Sequence, residues 1–126
     1  MRVADSSYLI EAILRDAKLL ENEAVVSPDL VLYEVVNALW KHETLFHDLQ
    51  DSQARIELLS DLISNQRVQL VRPDRELLNQ TYALSAKHRQ PIYDCIFIAL
   101  ALQLKMELVT FDRKQSAILS EERRGN

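Results

Sequence analysis

The sequence is poor in the residues that build several common kinds of site. It contains one glycine, Gly125, among 126 residues, so the glycine-rich loops that cradle nucleotide phosphates are absent. Its one cysteine, Cys95, cannot form an internal disulfide, in keeping with the cytoplasmic location that we expect for this protein. The three histidines do not have metal-ligand spacing, which argues against a zinc site.

Long hydrophobic runs and an excess of positive charge are also missing. No apolar stretch approaches the roughly 20 residues that a membrane span requires, and the N-terminus has no signal-peptide pattern, so we expect no membrane association. The 15 lysines and arginines and 19 acidic residues give a net charge of −4. This charge excludes a general basic field for nucleic acid, although an enzyme needs only a local basic rim.

The composition that remains is typical of a globular protein. With 48% hydrophobic and 27% charged residues, the chain is expected to fold as a single domain over residues 1–126 with one core. Strand-like segments alternate with helical patterns along the whole chain. The strand-like segments are at about residues 2–5, 24–27, 68–71 and 107–111. The alternation predicts a three-layer α/β/α domain, in which helices cover both faces of a parallel sheet of about four to five strands.

Three of the predicted helices bear on the site. Apolar residues at helical spacing predict one continuous helix over residues 6–20. Ser27 suits the N-cap and Pro28 the first position of the next helix, which should extend to about Lys41. The segment 93–106 is apolar on nearly every side and should be a central helix, with its first turn partly enclosed.

Four acidic residues fall at related places in this order of elements. Asp5 ends the first strand and Asp112 ends the fourth, Asp94 stands at the head of the apolar helix, and Glu34 is about two turns into the helix after the second strand. Functional groups gather beyond the carboxyl ends of the strands in an open parallel sheet. Taken singly, each aspartate also fits a helix N-cap, and Glu34 fits a solvated helix surface.

Four carboxylates in one cleft would repel one another, and burial would add a desolvation cost. A divalent cation removes that cost, and ligands that are all oxygen suit Mg²⁺ or Mn²⁺. If the first and fourth strands are neighbours, the acids therefore indicate a metal site. In particular, Asp94 and Asp112 should lie close enough to share a cation or its waters.

The sequence resembles the PIN-domain ribonucleases, especially the VapC-type toxins of toxin–antitoxin pairs. The resemblance rests on four segments in order, VADSSYLIEAIL, SPDLVLYEVVNALWK, YDCIFIALAL and LVTFDRK. It implies a metal-dependent enzyme that hydrolyses RNA phosphodiester bonds. The acidic quartet that the resemblance implies as catalytic residues and metal ligands is Asp5, Glu34, Asp94 and Asp112.

The resemblance extends to supporting residues and partners. Ser6, Asn37 and Thr110 match polar positions that support the acids. The implied partners are an RNA substrate, a cognate antitoxin and a second copy of the chain in a homodimer. Residues 42–65 match the family poorly, and Gln115 replaces a frequent apolar residue after the last acid.

RNA also requires cations and flat side chains around the acids. Arg113 and Lys114, directly after Asp112, are the best-placed cations, and Lys41 is a further candidate; each also fits a solvated surface charge. Tyr33 and Trp40 have rings that can stack on bases, but both share a helix with apolar core residues, which favours core packing. Tyr93 fits either role.

Three alternatives to a toxin ribonuclease have to be weighed. A catalytically silent PIN-like module would bind RNA or protein without cleaving it, and a PIN nuclease of general RNA processing would have no antitoxin. A phospho-acceptor receiver domain would have an acidic pair after the first strand and an aspartate after the third. Here the first strand carries a single acid and the third ends in Val71-Arg72-Pro73, which disfavours a receiver.

Overall fold

In a computed structural model of the protein, which describes residues 1–125, a central sheet lies between two layers of helices. The strands are β1 (Arg2–Ala4), β2 (Val25–Pro28), β3 (Val68–Val71) and β4 (Leu108–Val109). The α-helices are α1 (Ser6–Leu14), α2 (Leu30–Trp40), α3 (Ser52–Ser64), α4 (Arg75–His88), α5 (Ile92–Leu104) and α6 (Arg113–Arg124). The predicted α/β/α class is confirmed, with four strands among the described residues. None of the helices that these residues form is both long enough and apolar enough to cross a membrane.

The strands are all parallel and lie in the order β3-β2-β1-β4. Val3 pairs with Val26 on one side and with Leu108 on the other, and Ala4 pairs with Val109. The first and fourth strands are thus neighbours, which is the condition on which the approach of their two terminal aspartates depended. Because parallel strands end at the same edge, the residues that follow β1 and β4 emerge side by side.

Helix α5 is the centre of one helical layer. It packs on β1, β2 and β4, and contacts α4 and α6, while α1, α2 and α3 contact one another. Every residue from Cys95 to Ala101 is buried, which confirms the prediction of a central apolar helix. A helix that is apolar on all sides is one that is enclosed on all sides, so the start of α5 is anchored in the core.

The predicted continuous helix over residues 6–20 is wrong. Helix α1 ends at Leu14, and a separate 3₁₀ turn follows at Ala17–Leu20. At this end the guanidinium of Arg55 in α3 donates hydrogen bonds to the carbonyls of Ile13 (2.8 Å) and Leu14 (3.0 Å). The last carbonyls of α1 therefore find a partner outside the helix, as unpaired helix ends require.

The predicted helix start at Ser27 and Pro28 is also wrong. Both belong to β2, with Pro28 paired opposite Val71. The buried hydroxyl of Ser27 donates to the carbonyl of Ala4 in the adjacent strand (2.9 Å) instead of capping a helix. Sheet pairing thus overrides the local capping signal, and α2 begins at Leu30.

Helix α2 exposes the two aromatic residues that were predicted to pack in the core. Tyr33 is 75% exposed and Trp40 is 50% exposed, so that prediction is wrong for both. The buried positions of α2 follow one another at intervals of four and fill the inner stripe, which leaves the two aromatic residues on the outer side. The residues at these buried positions are Val31, Val35 and Leu39. The chain then continues into a π-helical turn, Lys41–Leu45.

Candidate active site

The four predicted acids come from different elements and influence one another through their charges. The charge of Asp112 raises the pKa of Asp5 and of Asp94, in both cases after a larger effect of burial. The charges of Asp94 and Asp5 in turn raise the pKa of Glu34, again after burial. These effects link the four acids in a closed ring. Asp5 and Asp112 follow β1 and β4, Glu34 reaches the turn after Asp5 from α2 through Ser6, and Asp94 comes from the start of α5, where the neighbouring Tyr93 shares a cleft with Glu34.

Asp5 is the most enclosed of the four, with 1% of its surface exposed. It is the N-cap of α1, where Oδ1 accepts hydrogen bonds from the Tyr8 amide (3.0 Å) and the Ser7 hydroxyl (2.7 Å). Its Oδ2 accepts a hydrogen bond from the Thr110 hydroxyl. Burial is the largest influence on the pKa of Asp5 and, together with the charge of Asp112, raises it despite these three hydrogen bonds, which lower it. The capping role and the place in the acidic region therefore coexist in one side chain.

Thr110 and Ser7 tie the end of β4 to Asp5. Thr110 Oγ1 accepts a hydrogen bond from the Asp112 amide (2.8 Å), and Ser7 Oγ accepts one from the Phe111 amide (2.9 Å). Each hydroxyl has a single proton, and both protons are donated to Asp5. The backbone of residues 110–112 is consequently fixed with respect to the buried carboxylate.

Glu34 reaches the region through a neighbour of the first acid. The Ser6 hydroxyl donates to Glu34 Oε1 at 2.6 Å, which joins α2 to the first turn of α1. This hydrogen bond lowers the pKa of Glu34, but burial raises it by more. Glu34 lies one turn into α2, not two as predicted, because the helix begins later than the sequence suggested.

Asp94 and Asp112 sit differently at their helices. Asp94 is the third residue of α5, whose N-cap is Pro91, so it is not a cap, and it accepts no hydrogen bond from residues 1–125. Burial raises its pKa most, the charge of Asp112 raises it further, and Lys114 opposes both. Asp112 is the N-cap of α6 and accepts a hydrogen bond from the Lys114 amide (2.9 Å).

The predicted cations occupy two places. Arg113 and Lys114 are both exposed in the first turn of α6, and Lys114 is near enough to Asp94 to lower the pKa of that carboxyl. Lys41 is exposed at the start of the π-helical turn, on the helical stretch that carries Glu34. The first two cations therefore adjoin the acids directly.

A cleft of about 410 Å³ adjoins the acidic region on the side of α2. Glu34 and Asn37 contribute its polar wall, and two tyrosines, Tyr33 and Tyr93, contribute most of the apolar surface together with Leu30. Asn37 is exposed to solvent in this cleft. The structure thus places Asn37 beside Glu34, whereas Ser6 and Thr110 bond directly to the acids.

The donor set fits a hard divalent cation with an incomplete protein shell. All the converging groups are carboxylate oxygens, the type that Mg²⁺ and Mn²⁺ prefer. Among the described residues, however, no three acidic, histidine or cysteine side chains are arranged closely enough to hold one ion together. Mg²⁺ is usually held by one or two carboxylates and keeps several waters for the remaining positions, which is compatible with this spacing.

Two residues that contact the site were not anticipated from the sequence. The Ser7 hydroxyl donates a hydrogen bond to Asp5, and the backbone amide of Phe111 donates one to the Ser7 hydroxyl. A signal for Ser7 exists in the letters ADSS, because a hydroxyl in the first turn of a helix can turn back to an N-cap carboxylate. Nothing local in the sequence indicates the contact of Phe111 with Ser7, which are about one hundred positions apart.

Comparison with known proteins identifies the family of the chain. Residues 3–119 match the family described as PIN domain. Over 86 residues the chain is 34% identical to Ribonuclease VapC3 of Pyrobaculum aerophilum. The aligned segment covers 68% of this chain and 64% of that protein, so the chain spans a little under two thirds of the length of the relative.

Proposed function

The chain belongs to the PIN-domain family, and from this premise we propose that it is a metal-dependent ribonuclease, the toxin of a VapBC-type pair. In this proposal residues 1–126 form a single domain that acts in the cytoplasm. The observation that supports the proposal is the convergence of acids beyond two neighbouring strands. Thr110 bonds both to Asp5 and to the amide of Asp112, and Ser6, next to Asp5, bonds to Glu34. Asp94 joins this group, which we call the acidic ring, from the first turn of α5.

We assign distinct tasks to these acids. Asp5, Asp94 and Asp112 would hold Mg²⁺ or Mn²⁺ directly or through water, and Glu34 would bind through water or accept the proton of the attacking water. The bound ion would neutralise the phosphate charge and lower the pKa of that water. Thr110, with one hydrogen bond to Asp5, would keep the first carboxylate oriented, as outer partners of metal ligands do.

Ser6 would orient the fourth acid in the same way. Its hydroxyl holds Glu34 Oε1, while Oε2 accepts no hydrogen bond from residues 1–125 and is left to face the reaction. Asn37, in the adjoining cleft, would contact the RNA strand or the water near Glu34. These polar neighbours would fix the direction of each carboxylate before substrate binds.

RNA would be drawn to an acidic protein by local charge. The net charge is −4, but Arg113 and Lys114 stand exposed beside Asp112 and would meet the phosphates on one side of the scissile bond. Lys41 would contribute from α2. Phosphate contacts of this kind supply affinity without sequence preference.

The proposal also includes protein partners. A homodimer and a cognate antitoxin would cover apolar surface that the single chain exposes, and α2 presents such surface at Tyr33, Val36 and Trp40. Exposed apolar residues that cluster on one side of a helix are typical of interaction sites. Light scattering on the purified chain should give twice the mass of one copy; the mass of a single copy would contradict the dimer.

The experiment that tests the activity compares Asp94→Asn with Asp61→Asn on single-stranded RNA, with Mg²⁺, with Mn²⁺ and with a chelator. Wild type should cleave only with metal. Asp94→Asn should lose more than the roughly 10- to 100-fold that removal of an outer metal partner costs. Asp61, exposed on α3, provides the matched control, and its variant should cleave like wild type.

Two outcomes would overturn the proposal. Cleavage by Asp94→Asn at the rate of wild type would show that the acidic ring is not the active site. Binding of RNA by wild type without any metal-dependent product would instead identify a silent binding module.

A further inference from the structure

Phe111 is an exposed aromatic ring with a rigid support. Its surface is 59% exposed, yet the ring stacks on Tyr8 with centroids 5.6 Å apart and planes inclined by 18°. Tyr8 is itself buried, and its hydroxyl donates to the carbonyl of Leu19 (3.1 Å). One face of Phe111 is therefore packed on a fixed partner, while much of the ring remains open to solvent.

The backbone of Phe111 is fixed to the acidic region. Its amide donates to Ser7 Oγ (2.9 Å), and the same hydroxyl donates to Asp5. The preceding residue, Thr110, also donates to Asp5, and the following residue, Asp112, belongs to the acidic ring. The aromatic side chain of Phe111 is thus restrained beside the carboxylates by its stacking on Tyr8 and by the hydrogen bond of its amide.

A purely structural role would be to cover Tyr8. Any apolar side chain of similar size would serve as a cover, and a cover would be expected to turn most of its surface inward. Among the described residues, Phe111 is the exposed aromatic side chain near the acids whose ring stacks on another ring. A flat, uncharged and pre-ordered ring beside a phosphate-binding region is what an unpaired base stacks on.

We propose that Phe111 is a positioning residue that stacks a nucleobase next to the scissile phosphate of single-stranded RNA. The inference rests on the proposed function and adds to it the part of the substrate that this edge of the site recognises. Charge favours this place for a base: Arg113 and Lys114, which follow Phe111 closely in the chain and are exposed, would attract the phosphates, and the uncharged ring of Phe111 would receive a base beside them. Stacking of this kind tolerates any base but requires it to be unpaired.

The test is a double-mutant cycle in which the ring of Phe111 and one nucleobase are removed singly and together. We would use a short synthetic single-stranded RNA that wild type cleaves at one mapped bond, and versions in which one nucleotide flanking that bond is abasic. Wild type should lose about 5- to 150-fold in kcat/KM at one abasic position, the range for loss of one stacked base. Phe111→Leu, which keeps apolar cover over Tyr8, should lose a similar factor on intact RNA and lose little more on the abasic RNA.

Two further variants separate stacking from packing. Phe111→Trp should restore cleavage of intact RNA and its sensitivity to the abasic position. Phe46→Leu is the matched control, because Phe46 is similarly exposed at 58% but lies past the π-helical turn that follows α2, 12 positions after Glu34. It should leave both the rate and the abasic effect unchanged. Thermal unfolding would show that each variant folds.

The inference is overturned if Phe111→Leu cleaves intact RNA like wild type, or if the abasic loss is as large in Phe111→Leu as in wild type. Affinity for the same RNAs, measured with the chain free of divalent metal, distinguishes failure of the inference from failure of the proposed function. If wild type binds the RNA but yields no product even when Mg²⁺ or Mn²⁺ is added, and the coupling appears in affinity, the ribonuclease proposal fails and the stacking role stands. If no coupling appears in affinity or rate, the stacking role is refuted.

Discussion

At Asp5 two demands fall on one carboxylate. Burial opposes its ionised form, whereas the role of metal ligand that we propose requires the ionised form. The structure meets both demands by surrounding the group with donors: the Tyr8 amide, the Ser7 hydroxyl and the Thr110 hydroxyl. The pKa of Asp5 is still raised, so the ionised form remains disfavoured. A cation beside the carboxylate would stabilise that form, because an opposite charge favours ionisation.

Thr110 offers the most direct test of this balance. Thr110→Val removes the hydrogen bond that lowers the pKa of Asp5 and leaves the Asp112 amide without its acceptor. We expect a loss of about 1–3 kcal/mol in the free energy of unfolding. Because the pKa of Asp5 rises further, the fall of cleavage rate on the acid side should move to higher pH.

The pH profile of kcat/KM and urea unfolding would measure these two effects. Thr110→Ser keeps the hydroxyl and should restore both the profile and most of the stability. An acid limb that is unchanged in Thr110→Val would show that Thr110 does not act through Asp5.

At the scale of elements, local capping signals predicted one boundary and missed another. Helix α6 begins directly after Asp112, one of the aspartates that fitted an N-cap, whereas Ser27 and Pro28 belong to a strand. The prediction failed for α1, because Leu19 and Leu20 continue the apolar spacing although the helix has ended. Local spacing carries no information about a partner that arrives from a distant helix.

That partner is Arg55, which should therefore stabilise the end of α1 measurably. Arg55→Met removes hydrogen bonds from a charged donor to the carbonyls of Ile13 and Leu14. We expect a loss of about 1.5–3 kcal/mol in the free energy of unfolding, with cleavage of RNA unchanged at a temperature where both proteins are folded.

Arg15→Met is the matched control for this prediction. Arg15 forms an exposed pair with Glu11 within one helix (2.8 Å), and such pairs contribute about 0.5 kcal/mol or less. Chemical denaturation of both variants gives the comparison. Equal small losses would mean that Arg55 does not hold the end of α1.

At the scale of the whole molecule, the order of elements indicated that Asp5 and Asp112 could meet at one edge of the sheet, but it did not predict every hydrogen bond around them. Asp5 and Asp112 follow neighbouring strands, a placement that parallel topology imposes once the strand order is known. The contacts of Ser7 and Phe111 depend on side-chain directions at two distant points in the chain, which no local pattern encodes. The prediction that Tyr33 and Trp40 pack in the core failed for a related reason. When a helix has apolar residues on two sides, its sequence does not indicate which side packs against the rest of the protein.

The buried acids of the acidic ring also contribute to the pH dependence of the free energy of unfolding. The pKa values of Asp5, Glu34 and Asp94 are raised in the folded chain above the ordinary values of 3.8, 4.5 and 3.8. The folded state therefore holds more protons than the unfolded state between the ordinary and the raised values, and these groups favour folding fully below the ordinary values. That contribution is lost as the pH rises through the raised values, so above them the ionised forms of these three carboxylates destabilise the metal-free protein.

A divalent cation should reverse this cost, and the effect can be measured without any RNA. At a free Mn²⁺ concentration 100 times its dissociation constant, ligand binding stabilises the fold by about 2.7 kcal/mol, or on the order of 10 °C in the unfolding midpoint at neutral pH. The gain should shrink as the pH falls and the carboxylates protonate, and it should be small in Asp94→Asn, which lacks one charge of the ring. Potassium chloride at matched ionic strength controls for screening, which acts on exposed charges throughout the molecule, and Asp61→Asn controls for loss of a remote charge. A midpoint that rises equally in Asp94→Asn and wild type would place the cation elsewhere on the protein and separate the acidic ring from metal binding.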